Sequence, residues 1–209
     1  MNGLSVIAVT GTPGSGKTFF SEMIAKCCKC AEVIEINDVL NSSRAYTGID
    51  AFGSKIADLA KLNRAVKHEV RKAEKRNCAV VLSGHLAAEL SFNYDISFVI
   101  RAPLKALEKR FKTRKYPKAK ISENLIAEGL DYCGETIRPK SKKIYELETQ
   151  LQKRAALQMI SYMCNKKASK AEHRRVLKKI EKLLPSYINR SDELYSMLKS
   201  GKIIQKSPF

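Results

Sequence analysis

The stretch SVIAVTGTPGSGKT, residues 5–18, joins an apolar, β-branched run to a glycine-rich loop. The run is typical of a buried parallel strand. The loop at residues 11–18 fits the pattern G-x-x-x-x-G-K-[ST] and stands between this strand and a predicted helix that begins at Lys17, as a phosphate-binding loop requires. Glycines are needed there because successive backbone N–H groups must approach a phosphate closely. The stretch therefore predicts a P-loop that binds ATP or GTP together with Mg²⁺.

The residues of this P-loop have separate predicted roles. We expect the backbone at Gly14, Ser15 and Gly16 to surround the phosphates, aided by the positive end of the helix dipole. Lys17 is expected to reach the β- and γ-phosphates as a catalytic cation. The Thr18 hydroxyl is expected to complete the Mg²⁺ shell, which makes it the predicted metal ligand.

Four further apolar runs predict strands at residues 32–36, 78–83, 96–100 and 144–148. Because strands alternate with helical patterns, the chain is predicted to form an α/β fold with a five-stranded, doubly wound parallel sheet. The predicted helices are residues 17–28, 54–76, 103–114, 122–136, 150–166, 169–184 and 191–200. Ser122 is the expected N-cap of its helix.

Composition narrows the class of protein. The 209 residues include 39 Lys plus Arg and 21 Asp plus Glu, a net charge of +18, and 44% are hydrophobic, which excludes wholesale disorder. The apolar runs are far shorter than the roughly 20 residues of a bilayer span. The first residues lack the basic start of a secretory signal. We therefore expect a cytoplasmic protein with no membrane partner. The cysteines and histidines show no spacing typical of a zinc site.

The positive charge is concentrated in two regions. Residues 150–209 carry 14 Lys plus Arg and 4 acids, and residues 101–120 carry nine basic residues and one acid, Glu108. Residues 169–184 show the apolar stripe of an amphipathic helix, whose basic face is expected to contact a polyanion such as RNA in a salt-sensitive way. A solvated basic face is the alternative.

The use of the nucleotide depends on the rest of the chain, because a P-loop occurs in kinases, GTPases and mechanical ATPases alike. The N-K-x-D signature of GTPases is missing from the sequence. The length, the five strands and the Arg-rich segment after the fourth strand favour a small nucleoside monophosphate kinase. Arg110 and Arg114 lie four residues apart at the end of a predicted helix, so both can face the phosphates as catalytic residues.

Four segments carry a family resemblance: GTPGSGKT (11–18), SGHLAAEL (83–90), FVIRAP (98–103) and KRFKTRKYPKAKISENLIAEGLD (109–131). In this order they resemble the adenylate kinase isoenzyme 6 family, the archaeal and eukaryotic nucleotide kinases linked to small ribosomal subunit maturation. The resemblance spans residues 4–149. It implies a P-loop NTPase fold of the nucleoside monophosphate kinase type, in which residues 35–58 receive the monophosphate and residues 113–123 form a lid. The kinase domain would be residues 1–166, followed by a basic helical extension at 167–209.

The resemblance also implies an activity and partners. The activity is phosphorylation of AMP or another nucleoside monophosphate by Mg²⁺-ATP, together with ATP hydrolysis, and the partner is a small ribosomal subunit precursor, contacted at its rRNA and at a ribosomal protein. His85 would be the histidine of the family's Walker-B-like motif, coupled to ATP hydrolysis, and Arg114 would contact ATP. Phe19 stands where the family usually has a second Thr at the ATP site. Arg101 stands where the family also has Arg and could touch phosphate, or it could form a structural ion pair.

The sequence departs from the family pattern in three places, of which the third is a basic tail beyond about Lys166 that is longer than the family normally carries. Ser83 stands where the family has an acid that helps to hold Mg²⁺ through water, and Asp38, Asp50 and Asp58 are other acids that the sequence does not rank. Lys115 stands where glycine is usual in the lid. The alternatives to a kinase are a ribosome-assembly ATPase switch and an RNA-binding adaptor with weak kinase activity.

Overall fold

The secondary structure follows the alternation of apolar runs along the chain. The computed structural model describes residues 5–74, 79–163 and 170–203. In these residues the strands are β1 (Ser5–Thr10), β2 (Ala31–Glu35), β3 (Tyr46–Ile49), β4 (Lys55–Ala57), β5 (Ala79–Ser83), β6 (Ile96–Ile100) and β7 (Ile144–Leu147). The helices are α1 (Lys17–Cys27), α2 (Ile36–Ser42), α3 (Leu59–Glu74), α4 (Leu104–Thr113), α5 (Lys118–Gly129), α6 (Tyr132–Ile137), α7 (Gln150–Met163), α8 (Lys170–Glu181) and α9 (Ser191–Lys199).

Five of the strands form one parallel sheet in the order β2-β5-β1-β6-β7. β1 therefore lies at the centre, and the P-loop leaves the sheet at its carboxyl edge. Ligands of open α/β sheets bind at this edge, where the strand order reverses. The predicted α/β fold with a five-stranded, doubly wound parallel sheet is confirmed.

Helices cover both faces of the sheet because its strands are apolar on both sides. On one face α1, α7 and α8 bury a core around Phe20, Phe98 and Ile160, and on the other α2, α3 and α6 bury a core around Leu62 and Val66. A third apolar cluster joins α4, α5 and α9. No helix in the described part of the chain has the length and apolar character needed to cross a bilayer.

The region between β2 and α3 differs from the prediction. The helix predicted at residues 54–76 begins only at Leu59, because the preceding residues form the antiparallel hairpin β3–β4. Helix α2 was missed because it begins at Ile36, directly after β2, and its two turns were too short for a clear period. This region is one of the two parts of the chain predicted to surround the nucleotide.

The helix predicted at residues 122–136 is two helices. α5 begins at Lys118, after Pro117, and α6 begins after Asp131, whose backbone is left-handed with φ 53°. Ser122 is buried within α5, so its predicted role as an N-cap is wrong. The break redirects the chain, so that α6 packs with α2 and α3 on one face of the sheet while α5 packs against α4 and α9.

The C-terminal helices pack against the rest of the protein. Ile180 of α8 and Leu184 lie in the core over the sheet, and Leu194 and Met197 of α9 pack beside α5. The backbone N–H of Glu146, in β7, donates to the carbonyl of Pro185 at 2.8 Å. The described part of the basic extension therefore contributes to the buried core.

Candidate active site

The P-loop takes the conformation that its glycines allow. Gly11 has φ +136°, and a Cβ placed on it would lie 2.3 Å from the carbonyl oxygen of Ile100 in β6. Gly16 has φ +107° and forms the N-cap of α1, without a side-chain hydrogen bond to the helix end. The sequence therefore needs glycine at position 11 for space and at position 16 for backbone conformation. The free N–H groups of α1 point toward the loop, as in anion sites.

The polar side chains of the P-loop can bind an anion. The Lys17 Nζ donates to the Thr12 carbonyl at 3.0 Å, and burial lowers the pKa of Lys17 to about 8. Ser15 Oγ is buried and has no hydrogen-bond partner among the described residues. Thr18 is exposed at the start of α1, and Phe19 beside it is 55% exposed. A buried cation and an unsatisfied hydroxyl within one loop fit a phosphate group.

A buried cluster of charged side chains is hydrogen-bonded to the P-loop through Thr12. The Thr12 hydroxyl donates to Glu128 Oε2 of α5 at 2.6 Å, and Glu128 Oε1 accepts from Arg101 Nε at 2.9 Å. Arg101 is 2% exposed and also contacts the carboxylates of Asp131 and Glu146. Arg101 therefore forms a structural ion pair, and the alternative in which it touches phosphate is wrong.

Two arginines at the end of α4 lie beside the P-loop. Arg110 Nη1 donates to the carbonyl of Gly14 at 2.6 Å. Arg114 Nη1 lies 3.9 Å from the position that a Cβ on Gly14 would occupy. Lys115, which follows, has a left-handed backbone with φ 55°, a conformation that favours glycine. The structure thus brings Arg110 and Arg114 to the same loop as Lys17.

The P-loop opens into a cavity of about 980 Å³, at the upper end of the size range of small-molecule sites. Its walls include the P-loop, the start of α2, the turn of the β3–β4 hairpin, and the segment from Arg114 to Tyr132. Lys17, Thr18, Phe19, His85 and Arg114 all line this cavity. Parts of the two segments predicted as monophosphate region and lid therefore face the P-loop across one space.

His85 begins the short turn His85–Ala88 that follows β5. Burial, together with the Lys17 cation nearby, lowers the pKa of His85 to about 4. The imidazole is therefore neutral at neutral pH and can accept a hydrogen bond. The carbonyl of His85 accepts one from the Thr10 hydroxyl at 3.2 Å, which ties this turn to the end of β1.

Sequence reasoning gave no individual role to three residues of the site, although two of them, Glu35 and Lys120, lie within the predicted segments 35–58 and 113–123. Glu128 anchors the P-loop, and Glu35, at the end of β2, lines the cavity close to Lys17. Lys120 Nζ, on α5, donates to Ser54 Oγ of the hairpin at 2.5 Å and so links the two walls of the cavity. No local signal marks these residues, because their roles depend on which strand ends and helices the fold places together.

The oxygen ligands of the site suit Mg²⁺. The described residues contain no group of three His, Cys, Asp or Glu side chains that could hold an ion alone. The Thr18 hydroxyl and the Glu35 carboxylate both line the cavity. Mg²⁺ is usually held by one or two such groups together with the phosphates of a nucleotide, so these residues fit it.

Comparison with known proteins places the chain in a family. A protein-family model described as "AAA domain" matches residues 7–131. A protein from Methanosarcina acetivorans, named "Putative adenylate kinase", is 31% identical over 147 residues, which cover 69% of this chain and 77% of that protein. A protein of the same name from Methanocaldococcus jannaschii is 33% identical over 144 residues, covering 68% and 76%.

A solved structure supports the fold. The crystal structure of TT1252 from Thermus thermophilus superimposes with a TM-score of 0.51 at 16% identity and covers 76% of this chain and 97% of that one. At this identity the likeness concerns the arrangement of strands and helices alone. The matching family model and the two relatives show that the chain belongs to the family of adenylate-kinase-like P-loop proteins.

Proposed function

We propose that the protein is a nucleoside monophosphate kinase that transfers the γ-phosphoryl group of ATP to AMP or another monophosphate. The main support for this proposal is that one continuous cavity extends from the P-loop to a second wall formed by α2 and the β3–β4 hairpin. A phosphoryl transfer needs donor and acceptor in one space from which water is excluded. The proposed cavity also has cations on both sides, Lys17 and Arg114 near the P-loop and Lys55 and Lys120 opposite.

Positioning and electrostatics account for the proposed catalysis, without a covalent intermediate. Lys17 and the backbone N–H groups of the P-loop hold the β- and γ-phosphates, and Arg114 neutralises charge on the group in transfer. Arg110 contacts the Gly14 carbonyl, so we assign it the role of holding the loop. Mg²⁺, held by Thr18 and a carboxylate, supplies further charge neutralisation when bound.

The second wall of the cavity is suited to the acceptor. Lys120, which also lies 4.9 Å from the centre of the Tyr116 ring, and Lys55 supply positive charge for its phosphate. Asn37 and Asn41 supply amide groups for a base or a ribose.

Product analysis tests this function. Purified protein is incubated with Mg²⁺-ATP alone and then with AMP, CMP, UMP or GMP added in turn, and the nucleotides are separated. We expect diphosphate only when a monophosphate is present, and no diphosphate from Lys17→Met. The matched control is Lys26→Met, which removes an exposed lysine from the end of α1. Absence of diphosphate with every acceptor would contradict the kinase.

ATP hydrolysis is a second candidate activity, favoured by one observation. His85 lines the cavity and its low pKa, about 4, leaves the imidazole neutral, so it can accept a proton or a hydrogen bond from water. An ATPase switch would release phosphate from Mg²⁺-ATP without any acceptor. His85→Gln should reduce that release several-fold while transfer to a monophosphate is retained. Equal loss of both activities would argue against a separate ATPase role.

The ribosomal partner inferred from the sequence resemblance stays a proposal, supported by exposed positive charge. Lys178 and Lys179 are exposed on α8. Replacing both with Gln should reduce the slope of log affinity for rRNA against log salt by about 1.5. The matched control replaces Lys29 and Lys67, which are exposed elsewhere. Charge substitution is preferable to deletion, because the extension contributes Ile180 to the core.

A further inference from the structure

An acid is expected at the end of β5, but the structure has Ser83 there and an acid, Glu35, at the end of the neighbouring strand β2. P-loop enzymes hold Mg²⁺ with the loop hydroxyl and a carboxylate on a strand beside the loop. Here β5, the neighbour of β1 on that side, ends at Ser83, which has no charge. The strand register pairs Val9 with Ser83 and Ser83 with Glu35. The carboxylate of Glu35 therefore stands at the same level of the sheet, one strand farther from the P-loop.

A buried pair of serines lies beside this carboxylate. Ser21 Oγ, on α1, donates to Ser83 Oγ at 2.8 Å, and both serines are buried. Because Ser83 accepts from Ser21, its own proton is free for the carboxylate of Glu35, its register partner on β2; burial raises the pKa of Glu35, and the Ser83 hydroxyl acts to lower it. Ser83 thus supports the acid on the next strand.

The half-buried Glu35 faces the nucleotide. It lines the same cavity as Lys17 and Thr18; burial raises the pKa of Glu35, and the Lys17 cation offsets part of this rise. Thr18 follows Lys17 directly, so the hydroxyl predicted to bind Mg²⁺ belongs to the same corner of the cavity. An acid here faces the P-loop across the space that the β- and γ-phosphates would occupy.

Three other acids line the cavity, Asp50, Glu89 and Glu123 of α5, and the first two are engaged elsewhere. Asp50 Oδ1 accepts from the backbone N–H groups of Phe52 and Ser54 at 2.8 Å each, which shapes the hairpin turn. Glu89 accepts a hydrogen bond from the Tyr132 hydroxyl at 2.6 Å.

Two further acids, Asp58 and Asp38, lie outside the cavity wall. Asp58 accepts from the Lys61 N–H at 2.9 Å, at the start of α3. Asp38 is exposed on α2 and does not line the cavity.

We propose that Glu35 supplies the carboxylate that holds the Mg²⁺ of bound ATP, in place of an acid at position 83, and that Ser83 positions it. The assignment rests on the proposed use of Mg²⁺-ATP. It assigns Glu35 a role as a metal-holding residue and Ser83 a role as a positioning residue.

The test measures nucleotide affinity and needs no turnover. A non-hydrolysable ATP analogue is titrated by calorimetry into the full chain, first in EDTA and then over a series of Mg²⁺ concentrations. For Glu35→Gln we expect the half-saturating Mg²⁺ concentration to rise about tenfold or more, with Mg²⁺-free affinity unchanged or tighter. The matched control, Asp192→Asn, removes an exposed acid at the start of α9 that does not line the cavity, and it should leave both values unchanged.

Two further variants separate position from folding. Glu35→Gln combined with Ser83→Asp returns a carboxylate to the strand beside the P-loop, and it should restore most of the Mg²⁺ dependence. Ser83→Ala keeps Glu35 but removes its support, and it should raise the half-saturating Mg²⁺ concentration less than Glu35→Gln does. Because Ser83→Ala leaves Glu35 intact, it tests the assignment even if Glu35→Gln fails to fold.

The possible results distinguish a failure of the role assigned to Glu35 from a failure of the proposed kinase function. A wild-type Mg²⁺ dependence in Glu35→Gln, with normal Mg²⁺-free binding, would overturn the role of Glu35 and leave the kinase proposal standing. A wild-type protein that binds no adenine nucleotide would overturn the proposed function and this assignment with it.

Discussion

Replacing Arg101 by Met tests the buried ion cluster that supports the P-loop. Arg101 Nε lies 2.9 Å from Glu128 Oε1, and Nη1 lies 3.1 Å from Glu146 Oε2 and also contacts Asp131. Met has a similar length and fills most of the space, so the change removes charge and hydrogen bonds with little loss of packing. Three buried carboxylates then share a site whose central cation is gone.

The expected cost follows from burial and protonation. Breaking a buried ion pair costs about 3–5 kcal/mol of unfolding free energy. Burial already raises the pKa of Glu146 to about 8, so a proton on this carboxyl relieves part of the repulsion at neutral pH. We therefore expect a loss of about 3 kcal/mol at pH 7. The loss should grow above pH 8, because the wild-type protein can then pair ionised Glu146 with Arg101 and the variant cannot.

Urea unfolding, followed by circular dichroism, measures this loss. With an m-value of about 2–3 kcal/mol/M for a chain of this size, 3 kcal/mol lowers the midpoint by about 1 to 1.5 M. Arg64→Met, on the exposed side of α3, is the matched control and should change stability by no more than about 0.5 kcal/mol. A midpoint for Arg101→Met within the error of the wild type would refute the view that the cluster holds the fold.

Three further predictions concern the loop and its charges. The affinity for ATP should be constant up to about pH 7 and fall about tenfold per pH unit above about pH 8. The reason is that Lys17 binds phosphate as a cation and its pKa is about 8. Calorimetry that finds no fall in affinity would contradict this prediction. Gly11→Ala should lower the unfolding free energy, measured in urea, by about 3 kcal/mol, because the added Cβ would lie 2.3 Å from the Ile100 carbonyl oxygen. The control Gly48→Ala, where the space around the glycine is open, should lower it far less. Between about pH 5 and pH 8 the folded protein keeps a proton on Glu146 that the unfolded chain releases, so the unfolding free energy of the wild type should fall with rising pH. Glu146→Gln should reduce the slope of unfolding free energy against pH. Equal slopes in the two proteins would show that Glu146 titrates normally.

The sheet and the P-loop were predictable from sequence because their signals are local. Each parallel strand is an apolar run of a few residues, and the P-loop is a contiguous pattern between a strand and a helix. The β3–β4 hairpin and α2 were missed because they are short and lack a clear period, and they depend on packing against α3. Their placement, and not their composition, makes them a wall of the cavity.

The support of the site was not predictable because it joins distant parts of the chain. Glu128 lies 116 residues from Thr12 in sequence, yet the two side chains share a hydrogen bond. Arg101 could be assigned to phosphate or to an ion pair from sequence, and only the positions of Asp131 and Glu146 decide between them. Burial of an acid leaves no trace in a single sequence when its partner is far away.

The Thr12–Glu128 bond limits how the predicted lid can move. Glu128 lies in the last turn of α5, where Arg101 and Thr12 fix it from two sides. Lys120, near the start of the same helix, faces the cavity and contacts the hairpin. Because a helix transmits displacement along its length, a movement of α5 at residue 120 would strain the buried cluster at Glu128. The segment before α5 contains Lys115 in a left-handed conformation. Residues 114–117 are therefore the part of the predicted lid that should move when the cavity opens, with α5 remaining attached to the P-loop.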